Sequence, residues 1–300
     1  MKNYLILFLK GMGMGIANVI PGVSGGTIAL ITNIYEEIIN SLKSFNRTAF
    51  KLLLSLKIKE LVKHTNLYFL TAIFSGSIVS VFTIANVFEY LFVYYPISIW
   101  SFFFGLILAS IIFVSKRVQN WHIQSISTLI IGIAIAFSIS LATPATENPN
   151  LFFVFICGII GISGMILPGL SGSYILILLG NYKLLMVTAV TELNITLLSV
   201  FCLGSVFGLM SFSHILSWIL KKYKDATLSL LTGFIIGSLN IIWPWKEITK
   251  TIIINGTEKA IGYKSFLPEI SNNTLFAIIL MILGFILVYL LENYSSKNTK

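Results

Sequence analysis

The sequence predicts an all-α integral membrane protein made of two inverted-topology repeats, each a re-entrant broken helix hairpin followed by three transmembrane helices. Three observations carry this expectation: a composition too apolar for a soluble domain, an internal duplication, and an uneven distribution of basic residues along the chain. Of 300 residues, 56% are hydrophobic and 10% are charged, and the mean hydropathy is +0.92. Soluble domains carry about 25% charged residues.

Taken in order, the first repeat occupies residues 1–150: a re-entrant hairpin over 4–42, a cytoplasmic surface helix over 46–64, and spans over 67–92, 97–115 and 125–142. The second occupies 151–300, with a hairpin over 151–190 and spans over 194–220, 226–243 and 275–291. Each span is an apolar run long enough to cross a hydrocarbon core of roughly 30 Å. The start does not read as a cleavable signal, because apolar character continues past Lys2 through Pro21 to Tyr35 with no small-residue cleavage site before a polar region.

The duplication shows when "PGVSGGTIALITNIY" (21–35) is set against "PGLSGSYILILLGNY" (168–182), an offset of 147 residues that also pairs Tyr35 with Tyr182. A second match, at an offset of 128, pairs Gly76 with Gly204, Gly105 with Gly233 and Ser110 with Ser238. The difference places 19 extra residues in the first half, "NRTAFKLLLSLKIKELVKH" at 46–64. Lys51, Ser55, Lys59 and Lys63 recur there at four-residue spacing, as on a helix lying on lipid or packed on protein.

Orientation follows from the basic residues, which favour the cytoplasmic side of short loops. With the N-terminus inside and each Pro-Gly segment entering and leaving on one side, 15 of the 20 Lys and Arg face the cytoplasm and both termini lie there. Full crossings by the Pro-Gly segments would put the basic 43–64 loop outside. One hairpin and three spans per half is an odd number of crossings, so the halves run in opposite senses. Secondary transporters share this layout and bind substrate near the midplane where the repeats meet.

The broken segments suggest chemistry. Proline removes an amide donor and disfavours helix in the residue before it, so Pro21 and Pro168 stop their helices inside an apolar run. Gly22, Gly25, Gly26, Gly169 and Gly172 allow close backbone approach. Ser24 and Ser171 stand where each could cap a new helix beginning at Gly25 or Gly172. A helix start presents unpaired amides and a partial positive charge, which suits an anion without any charged side chain. No Lys, Arg, Asp or Glu falls within nine residues of either Pro-Gly pair, which leaves the hydroxyls of Ser24, Thr27, Ser171, Ser173 and Tyr174. A phosphate or carboxylate fits that environment better than an inorganic cation. The alternative is a pair of tight re-entrant turns with no ligand.

Other chemistries find little support. Cys157 and Cys202 lie in apolar stretches and read as small core residues; His64, His122 and His214 are isolated, so no metal or other cofactor is implied. Gly11, Gly13 and Gly15 follow no strand and fit close helix packing, not a nucleotide fingerprint. Nothing points to nucleic acid.

The paired PGxSG motifs, preceded by "GMGMGIANVI" and "GIIGISGMIL", resemble the bacterial polyprenyl-phosphate transporters, also called PopT and formerly domain of unknown function 368. The resemblance runs from Lys10 to about Leu290. It implies a multi-pass protein of the bacterial plasma membrane that returns undecaprenyl phosphate from the outer to the inner leaflet for cell-wall synthesis. It also implies substrate-binding roles for Pro21, Gly22, Ser24, Gly25, Gly26, Pro168, Gly169, Ser171 and Gly172. One internal departure is Ser173 where the first motif has Gly26. The residues alone would allow a transporter or channel for a small anion such as phosphate or a carboxylate. A lipid-phosphate enzyme is the weakest reading, because no acid, base or nucleophile cluster accompanies the motif. Coupling to a proton or sodium gradient is open, with Glu36, Glu37 and Glu192 as candidates, and the oligomeric state is not readable.

Overall fold

The computed structural model describes residues 3–19, 24–142, 144–254 and 257–297. Pro21 and Gly22 lie outside the described residues. The first half contains α1 (Tyr4–Val19), α2 (Gly25–Ile31), α3 (Tyr35–Lys43), α4 (Arg47–Leu54), α5 (Ile58–His64), α6 (Leu67–Tyr94), α7 (Pro96–Ser115) and α8 (Ile123–Leu141). The second contains α9 (Leu151–Ile166), α10 (Gly172–Leu178), a π-helical turn (Leu184–Thr188) and α11 (Ala189–Thr191). It continues with α12 (Ile195–Lys222), α13 (Lys224–Gly237), α14 (Leu239–Ile242), strands β1 (Lys246–Ile254) and β2 (Thr257–Ser265), and α15 (Asn272–Lys297).

Among the described residues, five stretches are long and apolar enough to cross a membrane: α7, α8, α12, α13 taken with α14, and the Asn272–Leu290 part of α15. A sixth results if α5 and the start of α6 are one span, bent by 67°. The chain is therefore a mostly helical, multi-pass membrane protein. Helix starts are marked by residues suited to them: Pro96 opens α7, where its missing N–H is no loss, and the side chains of Asn46, Asn150 and Asn194 cap α4, α9 and α12.

The packing repeats as the sequence does. α1 lies along α6 and α9 along α12; α7 packs on α15 and α13 on α8. The closest approaches are at glycines in matching registers. A methyl on Gly11 would run into the Ile73 carbonyl, and one on Gly158 into the Phe201 carbonyl. Gly76 stands likewise against Phe8 and Gly204 against Phe155, while Gly105 meets Met281 and Gly233 meets Leu129. Lipid offers no hydrophobic drive between helices, so this backbone contact is what brings apolar helices together.

Three details differ from the sequence reading. The 46–64 segment is two helices: Leu56 adopts φ 54°, and the Lys57 N–H bonds back to the Leu52 carbonyl at 3.0 Å, which closes α4 and starts α5 afresh. No Gly or Pro marks that break, and Lys51, Ser55, Lys59 and Lys63 are divided between two helices and the turn joining them. Residues 246–265 hold an antiparallel pair, with Lys246 opposite Ser265 and Ile254 opposite Thr257. The hairpin is tied down at its base, where the Trp243 indole N–H donates to the Phe266 carbonyl at 3.1 Å and the Lys246 ammonium lies 3.8 Å from the Trp100 ring centroid. Burial lowers the Lys246 pKa to about 7, and the ring's negative face pulls it the other way. Lastly, Cys157 is buried, but Cys202 is exposed on α12.

Candidate functional site

The two motifs meet in space. Ser24 is the N-cap of α2 and is 2% exposed. Its backbone is extended (φ −114°, ψ 137°), which turns the hydroxyl back over the helix start to accept the Gly26 N–H at 3.1 Å. That same hydroxyl donates across the molecule to the Leu167 carbonyl at 3.1 Å, with the Met165 carbonyl at 3.4 Å as a second acceptor. Both carbonyls belong to the C-terminal end of α9, where helix carbonyls lack intrahelical partners. Gly26 faces the Ile166 carbonyl so closely that any side chain would collide with it. Thr27, fully buried, accepts the Gly169 N–H at 3.1 Å. The positive end of α2 is therefore docked on the negative end of α9.

Every amide in the first turn of α2 is satisfied. The Gly25 N–H donates to the Asn18 side-chain oxygen at 2.9 Å, the Gly26 N–H to Ser24 Oγ, and the Thr27 N–H to the Ser24 carbonyl at 2.9 Å. The far end is satisfied too. Lys10 Nζ donates to the Thr32 carbonyl at 2.7 Å and Arg117 Nη2 to the Ile31 carbonyl at 3.3 Å. Two cations thus stand at the C-terminal end of α2, where the helix dipole favours them. Sequence distance hid this: Lys10 is eleven residues before Pro21, yet α2 is only 7 residues, about 10 Å, long.

The second motif is built differently. Pro168 is buried, and Gly169 has φ +76°, left-handed backbone that a side chain would strain and for which there is no space beside the Phe234 carbonyl. Ser171 caps α10 by position but makes no side-chain capping bond. Its hydroxyl instead pairs with that of exposed Ser173 at 2.9 Å. Gly172 is buried against Gly161, and its N–H and that of Ser173 find no acceptor among the described residues. The Tyr174 hydroxyl reaches away to the Ser140 carbonyl at 3.4 Å.

The coupling candidates lie apart from this junction. Glu36 pairs with Lys224 at 3.2 Å with both side chains more than half exposed, and Glu192 is exposed after α11. Glu37 accepts from Asn66 Nδ2 at 2.9 Å. Among the described residues, no group of three or more His, Cys, Asp or Glu could hold a metal ion. Sequence reasoning missed Asn18, which occupies the Gly25 amide, and Tyr35, which borders a cavity beside α2. An Asn seven residues before Gly25 in an apolar helix and the pairing of Tyr35 with Tyr182 were the available signals.

Residues 14–260 match a family model described as undecaprenyl phosphate translocase-like. The chain is 40% identical, over 98% of its length and 98% of the relative's, to a polyprenyl-phosphate transporter of Vibrio cholerae serotype O1 (strain ATCC 39315 / El Tor Inaba N16961). It is 30% identical, over 80% of its length and 86% of the relative's, to a polyprenyl-phosphate transporter of Staphylococcus aureus (strain NCTC 8325 / PS 47). No solved structure matches.

Proposed function

Because the chain belongs to the undecaprenyl phosphate translocase-like family, we propose that it carries undecaprenyl phosphate from the outer to the inner leaflet of the bacterial plasma membrane. The carrier lipid is thereby returned for cell-wall precursor synthesis. The repeats are inverted, each Pro-Gly segment is re-entrant, and both termini are cytoplasmic. The phosphate is bound where the two motifs meet near the midplane, at the helix starts led by Ser24 and Ser171.

The observation that carries this reading is the docking of α2 on α9. The acceptors now on the first turn of α2, the Asn18 and Ser24 oxygens, mark positions that phosphate oxygens would take. At α10 the equivalent amides of Gly172 and Ser173 have no acceptor among the described residues. One helix start is quenched by the oxygens of Asn18 and Ser24 while the other is left for an anion. In an inverted repeat the roles can exchange, with the α9 end releasing α2 as α10 becomes engaged, and that exchange is the alternation of access. A proton or sodium gradient would bias the exchange, with Glu37, hydrogen-bonded to Asn66 at the start of α6, as the first residue to test.

The test is leaflet exchange of polyprenyl phosphate in proteoliposomes under proton and sodium gradients of either sign. Wild type is expected to move the lipid, Ser24→Ala and Ser171→Ala to slow it about tenfold each, and the double variant to abolish it. Wild-type protein that moves no polyprenyl phosphate under any of these gradients would sink the reading.

A further inference from the structure

A mostly apolar cavity of about 110 Å³ lies beside the first motif, walled by α1, α2, α3, α6, α9 and α12. Gly25 and Gly26 form part of its wall, so it is continuous with the motif junction. Two polar groups on it have no partner among the described residues. Tyr35 is only 3% exposed, and its hydroxyl makes no hydrogen bond among the described residues. Asn18 commits its side-chain oxygen to the Gly25 N–H, and its amide nitrogen has no acceptor among the described residues. A hydroxyl buried without a partner is unfavourable enough that native proteins seldom keep one, and those they keep call for an explanation. Both groups can donate, so an acceptor in the cavity would satisfy either.

The walls set the rest of the ligand. Ile38, Ile39 and Ile73 make the cavity hydrocarbon-like, while Phe74 (45% exposed) and Met165 (42%) line it and also face the outside of the bundle, where lipid lies. A cavity of about 150 Å³ accepts benzene, so this one of about 110 Å³ accommodates roughly four carbon atoms. That approaches the size of one isoprene unit.

We propose that this cavity seats the phosphate-bearing isoprene unit of a polyprenyl phosphate, with Tyr35 and Asn18 donating to the phosphate ester and the remaining units leaving past Phe74 and Met165. The inference rests on the lipid-phosphate reading above and adds a chain-recognition site to it. Tyr35 is then a substrate-binding residue whose hydroxyl donates to the phosphate ester.

The test uses full-length protein in detergent and in proteoliposomes, with polyprenyl phosphate and geranyl phosphate as probes. Tyr35→Phe removes only the unpaired hydroxyl, so the ligand-free protein is expected to melt at a higher temperature. Binding of both probes is expected to weaken about tenfold, as for loss of a hydrogen bond to a charged group. A merely structural role would not move stability and affinity in opposite directions. Ser77→Leu fills the cavity from α6 and is expected to weaken both probes as well; if it fails to fold, Tyr35→Phe decides alone. Weakening by Ser77→Leu without any effect of Tyr35→Phe overturns the donor role of Tyr35. Wild-type binding that both folded variants leave intact overturns the cavity while sparing the transport reading. Wild-type protein that binds neither probe overturns both.

Discussion

The two copies of the Pro-Gly motif share a sequence pattern and differ in what their helix starts touch. At α2 the capping hydroxyl is buried, the first three amides are paired, and the C-terminal end of α9 closes over them. At α10 the capping hydroxyl is half-buried and pairs only with exposed Ser173. Three substitutions between the copies account for this, the first being Asn18, which takes the Gly25 N–H and whose counterpart is Met165. Gly26 lets the Ile166 carbonyl approach, and its counterpart is Ser173, which has a side chain in that position. Thr27 is small enough to be enclosed and to accept the Gly169 N–H, and its counterpart is Tyr174, which turns away to Ser140. A duplicated motif thus becomes one engaged and one open half through side-chain volume at two positions and the loss of a polar side chain at a third.

The comparison breaks most sharply at Gly26. In Gly26→Val the new side chain meets backbone, the Ile166 carbonyl, which cannot rotate away, so a loss of about 3 kcal/mol is expected from overpacking. Ser173→Val at the matching position adds volume to an exposed site and is expected to stay within about 0.5 kcal/mol. Thermal unfolding of the two variants in detergent separates them. Equal losses would mean that the copies are packed alike and that the difference between them has no energetic content.

Next in size is the pair of capping serines. Ser24→Ala removes a cap and also takes the hydroxyl donor from the Leu167 and Met165 carbonyls, Leu167 keeping the Leu170 N–H at 3.3 Å, for about 2 kcal/mol. Ser171→Ala breaks one hydroxyl pair next to an exposed side chain and is expected to shift stability by about 0.5 kcal/mol or less. Both should slow transport, so stability and transport part company at Ser171 and move together at Ser24. A Ser171→Ala variant as destabilised as Ser24→Ala would show that α10 is engaged in the resting protein.

How much of this was legible in the sequence depends on the kind of signal. The helix starts were readable: α2 and α10 stand 147 residues apart, α6 and α12 stand 128 apart, and both offsets appear in the sequence repeat. The glycines that hold α1 to α6 and α9 to α12 also showed as small residues in apolar runs. The contacts between the motifs were not readable, because Ser24 and Leu167 are 143 residues apart and neither residue type announces the other. The positions of Lys10 and Arg117 were hidden in the same way, since a chain that breaks and returns brings distant residues to one helix end. The strand pair at 246–265 did leave a trace: Asn255-Gly256 between runs rich in Ile and Thr is a hairpin signature. The break at Leu56 left none, because Leu is among the residues least expected at positive φ.

The smallest expected effect lies at the opposite ends of the two short helices. The last carbonyls of α2 take cations, Lys10 and Arg117, whereas Leu178 of α10 takes the Ala145 N–H at 2.8 Å. At the register of Lys10 the second repeat has Cys157, buried and uncharged. A cation at the negative end of a helix contributes about 1 kcal/mol when partly buried, so Lys10→Met should lower stability by that amount and Lys10→Arg by less. Thermal unfolding of the two variants separates charge from packing, since Met keeps the apolar stem and Arg keeps the charge. Equal losses would assign the role to the shape of the Lys10 side chain, and the two repeats would then differ at these ends only in packing. A loss confined to Lys10→Met would mean that the engaged half is held electrostatically at both ends, by carbonyls at its positive end and by cations at its negative end. Releasing α2 would then require only the α9 end to move, because the cations stay with the helix they stabilise.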